Sequence, residues 1–162
     1  MIVVSACMAG LAVRYDGNSA RVEDIARLVR EGKAVLVCPE QLGGFPTPRP
    51  PAEIQNGDGY DVLDGKAKVI NQQGEDVTED FIQGAQQALE VAQAAGATKA
   101  VLKENSPSCG SHFIYSGKFN GEKIRGVGIT TALFERNGIE VLSEDDLEEL
   151  LQKYEKNNIL KS

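Results

Sequence analysis

Four short apolar runs punctuate the chain: Ile2-Val3-Val4-Ser5-Ala6, Ala34-Val35-Leu36-Val37, Lys99 to Leu102, and Ile139-Glu140-Val141-Leu142. Each is bounded by turn residues and too short for a helix, so each predicts a buried strand. Between them the apolar period lengthens to that of a helix. Val22, Ile25, Ala26 and Val29 make one stripe, after a possible cap at Ser19 and a start near Arg21. Phe81, Ile82, Ala85, Leu89 and Ala92 make a second, with Thr78 as cap and Glu79 and Asp80 at the positive end of the helix dipole. A short helix is expected over Thr130 to Arg136. Leu147, Leu150, Leu151 and Tyr154 line a last one, capped by Ser143. Gly32, Gly96 and Gly138 stand where these helices should stop.

The remaining segments predict irregular chain or hairpins. Residues 41–59, "QLGGFPTPRPPAEIQNGDG", hold four prolines and are expected to form no regular element. Asp61 to Ile70, around Asp64-Gly65, predicts one hairpin, and Phe113 to Phe119, around Ser116-Gly117, a second. Strands alternating with helices imply a mainly parallel sheet with helices on both faces. The expectation is a Rossmann-like αβα sandwich of one α/β domain over 1–155, with small hairpins and a frayed tail over 156–162.

Composition narrows the class. The chain has 162 residues and a formal net charge of −7, with no cluster of Lys and Arg. That argues against a nucleic-acid duplex as partner. No apolar run approaches the roughly 20 residues that cross a bilayer. The N-terminus lacks a basic, signal-like segment. A cytoplasmic protein acting on a small molecule is therefore expected. No Gly-x-Gly-x-x-Gly follows the first strand and no P-loop is present, so two common nucleotide signatures are missing.

The three cysteines change the picture. Cys7 follows the first strand, Cys38 the second, and Cys109 the third after a short turn. In a parallel sheet all three thiols lie at the edge where ligands gather. The plainer reading is three small buried hydrophobes at strand ends. The pattern of all three at one edge favours a shared site instead. A disulfide would leave one thiol over. Zinc with three thiolates would keep an open position. A cubane iron–sulfur cluster with three would leave one iron without a protein ligand. His112, the one histidine, sits three residues past Cys109 and is a further candidate donor, though a neighbouring role is the simpler one. Pro39, Pro107 and Gly110 stiffen or tighten the chain beside the thiols.

The motifs "VSACMAGLAVRYDGN", "VCPEQLGGFPTPRPPAEI", "GEDVTEDFIQGA", "LKENSPSCGS" and "GKFNGEKIRGVGITTALF" carry a resemblance. From Ser5 to about Leu150 the chain resembles a bacterial family of domains of unknown function that includes a thiouracil desulfidase. The resemblance implies a 4Fe–4S cluster on Cys7, Cys38 and Cys109. It implies a non-redox exchange of C=S for C=O on a thiolated pyrimidine, with release of sulfide. It also implies catalytic roles for Glu40 and Ser106.

The chemistry is coherent on its own terms. Thiocarbonyl sulfur is soft and suits thiolate-ligated iron. Glu40 would take a proton from the attacking water, and Ser106 would donate to the ring or to developing charge. The bland alternatives are a surface or capping carboxylate for Glu40 and a turn hydroxyl bonded to its own backbone for Ser106. Arg14 and Asp16 in the first loop, and Arg49 in the proline-rich segment, either reach the site or form structural ion pairs; the second reading is favoured. Residues 41–51 are expected to act as a lid. Two competing classes remain: a zinc hydrolase on the same cysteines, and a non-catalytic module, either a cluster or sulfur carrier or a small nucleotide-binding domain.

Overall fold

The four apolar runs do build one parallel sheet. In a computed structural model, which describes residues 1–9, 23–147 and 149–153, the strands are β1 (Ile2–Ser5), β2 (Ala34–Val37), β5 (Lys99–Val101) and β8 (Glu140–Leu142). Their order is β2-β1-β5-β8, parallel throughout. Val35, Val3, Ala100 and Val141 share one row across the sheet.

Side-chain alternation divides the core. Val3, Val37, Ala100, Leu102 and Val141 pack with Ala88 and Ala92 of α4 (Thr78–Ala94) and Phe134 of α5 (Ile129–Arg136). Ile2, Val4, Ala34 and Val101 pack on the other face, with Ile25 and Leu28 of α1 (Glu23–Arg30) and with Leu147 and Leu150. Each fully buried side chain of this kind contributes roughly 1.5–3 kcal/mol. The layers expected from the sequence are present. Among the described residues no helix is long and apolar enough to cross a membrane.

The segment between β2 and α4 differs from expectation. A one-turn helix α2 (Pro39–Leu42) follows Cys38 directly. Strand β3 (Ala52–Gln55) then pairs antiparallel with β4 (Lys68–Asn71). The prolines of 46–51 all precede β3, so its own N–H groups remain available for the ladder. Asp61 belongs to a helix, α3 (Gly59–Leu63), and not to a hairpin strand. Asp58 accepts from the N–H groups of Tyr60 and Asp61, and the Asp61 side chain answers to Asp58 N–H, which closes a capping box. Ile54, Val62, Val69, Phe81, Ile114 and Ile129 form a third core beneath this ribbon.

Other departures are smaller. Thr78 is the first residue of α4 and Val77 its cap. Asp76 Oδ1 accepts the Thr78 N–H at 3.0 Å, so the orphan donor is satisfied from two residues earlier. The second hairpin pairs β6 (Phe113–Tyr115) with β7 (Lys123–Arg125), so its loop spans 116–122 and is wider than a turn at Ser116-Gly117. Ser143 does cap, accepting from Asp145 N–H at 3.1 Å. Ser19, Arg21, Val22, Tyr154 and the tail lie outside the described residues.

Candidate functional site

Strand order fixes where a site can form. From β1 the chain moves outward to β2, and from β5 it moves the other way to β8, so β1 and β5 flank the topological switch point. Ser5 Oγ accepts the Lys103 N–H at 2.9 Å and ties the two strand ends together. Cys7 lies in a 3-10 turn (Ala6–Ala9) leaving β1, Cys109 in the turn after β5, and Cys38 at the end of β2. A cavity of about 370 Å³ opens there, lined by all three cysteines and by Glu40, Arg49, Glu53, Glu104, Ser106, Tyr115 and Phe119. Cys7 packs with the α1 side of the core and Cys109 with the α4 side. Beyond the last ladder bond the sheet no longer separates them, and both reach the same cavity. None of the three is joined in a disulfide.

Two of the thiols are held by rigid elements. Cys38 is the N-cap of α2, with Pro39 at the first helical position. Helix α4 presses on this turn so closely that a Cβ at Gly84 would overlap the Pro39 carbonyl oxygen. The Cys109 turn is fastened by the start of α5. Ile129 and Thr130 N–H donate to the carbonyls of Pro107 and Ser108 at 2.9 and 2.8 Å. Thr131 Oγ1 donates to the Cys109 carbonyl at 2.9 Å. Orphan donors of the helix thus fix a loop, and a Cβ at Gly128 would collide with the Ser108 carbonyl.

The electrostatics favour the protonated form of two of these thiols, Cys38 and Cys109. Burial pushes the Cys38 thiol up, and the Glu40 charge adds to it. Burial, then Glu40, then the neighbouring Cys38 raise Cys109 strongly. Glu40 lines the same cavity as both thiols. A coordinating metal would expel those protons. Among the described residues no three His, Cys, Asp or Glu side chains are grouped to hold a metal ion. The three thiols share one cavity of about 370 Å³, and three soft sulfur donors suit the iron of a cluster that keeps one iron without a protein ligand.

Glu40 is no free surface carboxylate. Arg49 Nη2 donates to its Oε2 at 2.6 Å, and the Arg49 side chain is 3% exposed. Arg49 Nη1 also donates to Thr47 Oγ1 and the Pro46 carbonyl, at 3.1 and 3.3 Å. Arg49 therefore lines the cavity as an ion-pair partner that folds the proline-rich loop around Glu40. Ser106 Oγ accepts from Ser108 and Cys109 N–H at 3.0 and 3.2 Å. The turn-hydroxyl reading is thus correct, and it leaves the hydroxyl hydrogen to donate at the cavity wall. Arg14 and Asp16 lie outside the described residues.

His112 does not line the cavity. Its Nδ1 lies 2.7 Å from Glu104 Oε2, and its side chain is 50% exposed. Its candidacy as a fourth ligand gives way to the neighbouring role. Sequence reading passed over Glu104, which is 6% exposed and accepts from the N–H groups of Ser111, His112 and Phe113 at 2.8, 3.0 and 3.1 Å. Its signal was a carboxylate placed two residues past an apolar run that ends at Leu102. Glu53 was missed because its strand was hidden behind prolines.

Glu104 makes stability pH-dependent. Burial raises its pKa, but the backbone and ring of His112 and the N–H groups of Phe113 and Ser111 win, holding it down at about 2 against 4.5. A depressed carboxylate stabilises above its unfolded value and loses that contribution as pH falls through the folded one. Denaturant titrations should therefore lose about 3 kcal/mol between pH ~4.5 and ~2, and Glu104→Gln should flatten that fall. His112 is raised by the same bond to Glu104; its share is present below its unfolded value and lost as pH rises through the folded one. The two shares describe one bond and are not summed.

Residues 2–146 match the model of the 2-thiouracil desulfurase family. A Bacillus subtilis (strain 168) protein carrying the name Uncharacterized protein YbbK is 53% identical over 151 residues, covering 93% of this chain and all of that protein. A solved structure, the [4Fe-4S]-dependent thiouracil desulfidase TudS (DUF523Vcz), superposes with a TM-score of 0.84 at 47% identity, covering 95% of this chain and 97% of that one. With its motifs, fold and cavity in agreement, the chain belongs to the 2-thiouracil desulfurase family.

Proposed function

We propose that this protein desulfurises a thiolated pyrimidine of the thiouracil type, replacing C=S by C=O and releasing sulfide, with a 4Fe–4S cluster on Cys7, Cys38 and Cys109. The observation that carries the reading is the lining of one cavity by three thiols from three strand ends, together with a carboxylate. The similarity to a [4Fe-4S]-dependent thiouracil desulfidase at 47% identity supports it. When bound, the cluster supplies a soft Lewis-acid iron, left without a protein ligand, for the thiocarbonyl sulfur.

The chain's own residues do the rest. Glu40, oriented by Arg49, accepts a proton from the water that attacks the ring carbon. Ser106 donates its hydroxyl hydrogen to the ring or to the charge that develops on it. Water adds its oxygen to the carbon, the C–S bond breaks, and both water hydrogens leave with sulfur. No net electrons are needed, so the reaction is hydrolytic and needs no reductant as co-substrate. A zinc hydrolase is disfavoured by the similarity to a [4Fe-4S]-dependent desulfidase, and a carrier would have no use for Glu40 and its buried partner. The cytoplasm is the fitting compartment for three cysteines outside any disulfide and for an oxygen-sensitive cluster.

Anaerobic reconstitution with iron and sulfide tests the reading. About four irons and four acid-labile sulfides per chain are expected, with sulfide and uracil released from thiouracil in the absence of a reductant. Retention of zinc alone would establish the hydrolase instead. A loaded protein that releases no sulfide would be a carrier.

A further inference from the structure

Phe119 combines three features, a combination that the other aromatic residue of the cavity, Tyr115, does not share. Its backbone stands at φ +53°, a left-handed conformation that is costly for a bulky side chain. Its ring is half-buried and packs in none of the three cores. It lines the cavity that holds the three thiols. Strain at a residue that core packing does not explain requires something to hold it. Glu53 does so: its Oε1 accepts the Gly117 N–H at 2.9 Å and the Phe119 N–H at 3.3 Å. Glu53 is itself 8% exposed and fixed in β3. Gln55 Nε2 adds a bond to the Gly117 carbonyl at 3.3 Å. The 116–122 loop is thereby pinned to the rim of the cavity from a different sheet.

We propose that Phe119 is the aromatic face against which the flat thiolated ring lies, and that Glu53 is the residue that positions it. This rests on the desulfidase reading above and adds the part that recognises the ring. The thiols address sulfur, and Glu40 and Ser106 address the reacting carbon and its charge. Neither set distinguishes a heteroaromatic ring from any other thiocarbonyl. An aromatic wall does, because stacking rewards a planar π-face of the right size. Stacking acts on substrate and product alike, so its loss is a uniform binding loss: KM rises and kcat stays. Tyr115, with Lys123 Nζ 5.8 Å from its ring centroid, lines the same cavity beside it.

The test compares loaded native protein with Phe119→Ala, Phe119→Tyr, Glu53→Ala and Glu53→Gln, by steady-state kinetics on thiouracil and by calorimetric titration with uracil. Visible absorption of the cluster confirms that each variant is intact. Phe119→Ala should raise both KM and the uracil Kd about five- to hundredfold, with kcat near native, and Phe119→Tyr should restore both. Glu53→Ala should reproduce the rise, while Glu53→Gln, which still offers an acceptor oxygen, should keep most of the affinity. The double variant Glu53→Ala/Phe119→Ala should add little to either single one. An unchanged KM and uracil Kd in Phe119→Ala, in a protein whose native form releases sulfide, overturns this inference alone. A native protein that takes up no cluster, or releases no sulfide, overturns the reading it rests on.

Discussion

Cys109→Ser should yield a folded protein with little or no iron and no measurable desulfidation. The exchange alters one atom in a residue that is 6% exposed and fastened by Thr131 and the start of α5, so the fold has little to lose. The cluster loses much more. A serine hydroxyl is hard and does not ionise near neutrality, whereas iron in a cluster takes soft thiolate. With two thiolates left, two irons would lack a protein ligand. Cys7→Ser and Cys38→Ser should behave alike, because each removes one of the three soft donors that line the cavity. Iron analysis and visible absorption after anaerobic reconstitution measure the loss, and thermal unfolding shows that the scaffold survives. A full complement of iron in any one variant would remove that cysteine from the ligand set.

How far the sequence revealed this site depends on which residues are asked about. The four strands were legible because short Val- and Ile-rich runs between turn residues have few other fates. The meeting of three cysteines followed from topology alone, since parallel strands deliver all their carboxyl ends to one edge. The ribbon of β3 and β4 was not legible. Prolines before Ala52 masked a strand that contains none, and the run Asp58-Gly59-Tyr60-Asp61 reads as a turn until its capping box is seen. Glu53 and Phe119 meet across 66 positions of sequence, and no periodicity links residues so far apart. Arg49 illustrates the opposite case: a charged residue amid prolines was favoured as a structural ion pair, and its bond to Glu40 makes it one.

Glu40→Gln should separate cluster from catalysis. Glutamine keeps the length of the side chain and an oxygen to accept from Arg49 Nη2, so the fold of the proline-rich loop should persist. It removes the negative charge that helps raise the thiols of Cys38 and Cys109. Those thiols should then release their protons more readily, and iron should load at least as well as in the native protein. What is lost is the acceptor for the proton of the attacking water. General-base removal costs about 10²–10⁴ in rate, or roughly 3–5 kcal/mol in the barrier. A fully loaded protein whose kcat falls by that factor would make Glu40 the base. Ser106→Ala should cost less if the hydroxyl only orients the ring, and a similar amount if it relays the proton. Unchanged turnover in a loaded Glu40→Gln protein would reduce Glu40 to the partner of Arg49 and move the search for the base to Asp16. Chemistry narrows that search in advance: water must lose a proton as its oxygen joins the carbon, and the acceptor must stand within hydrogen-bond reach of it.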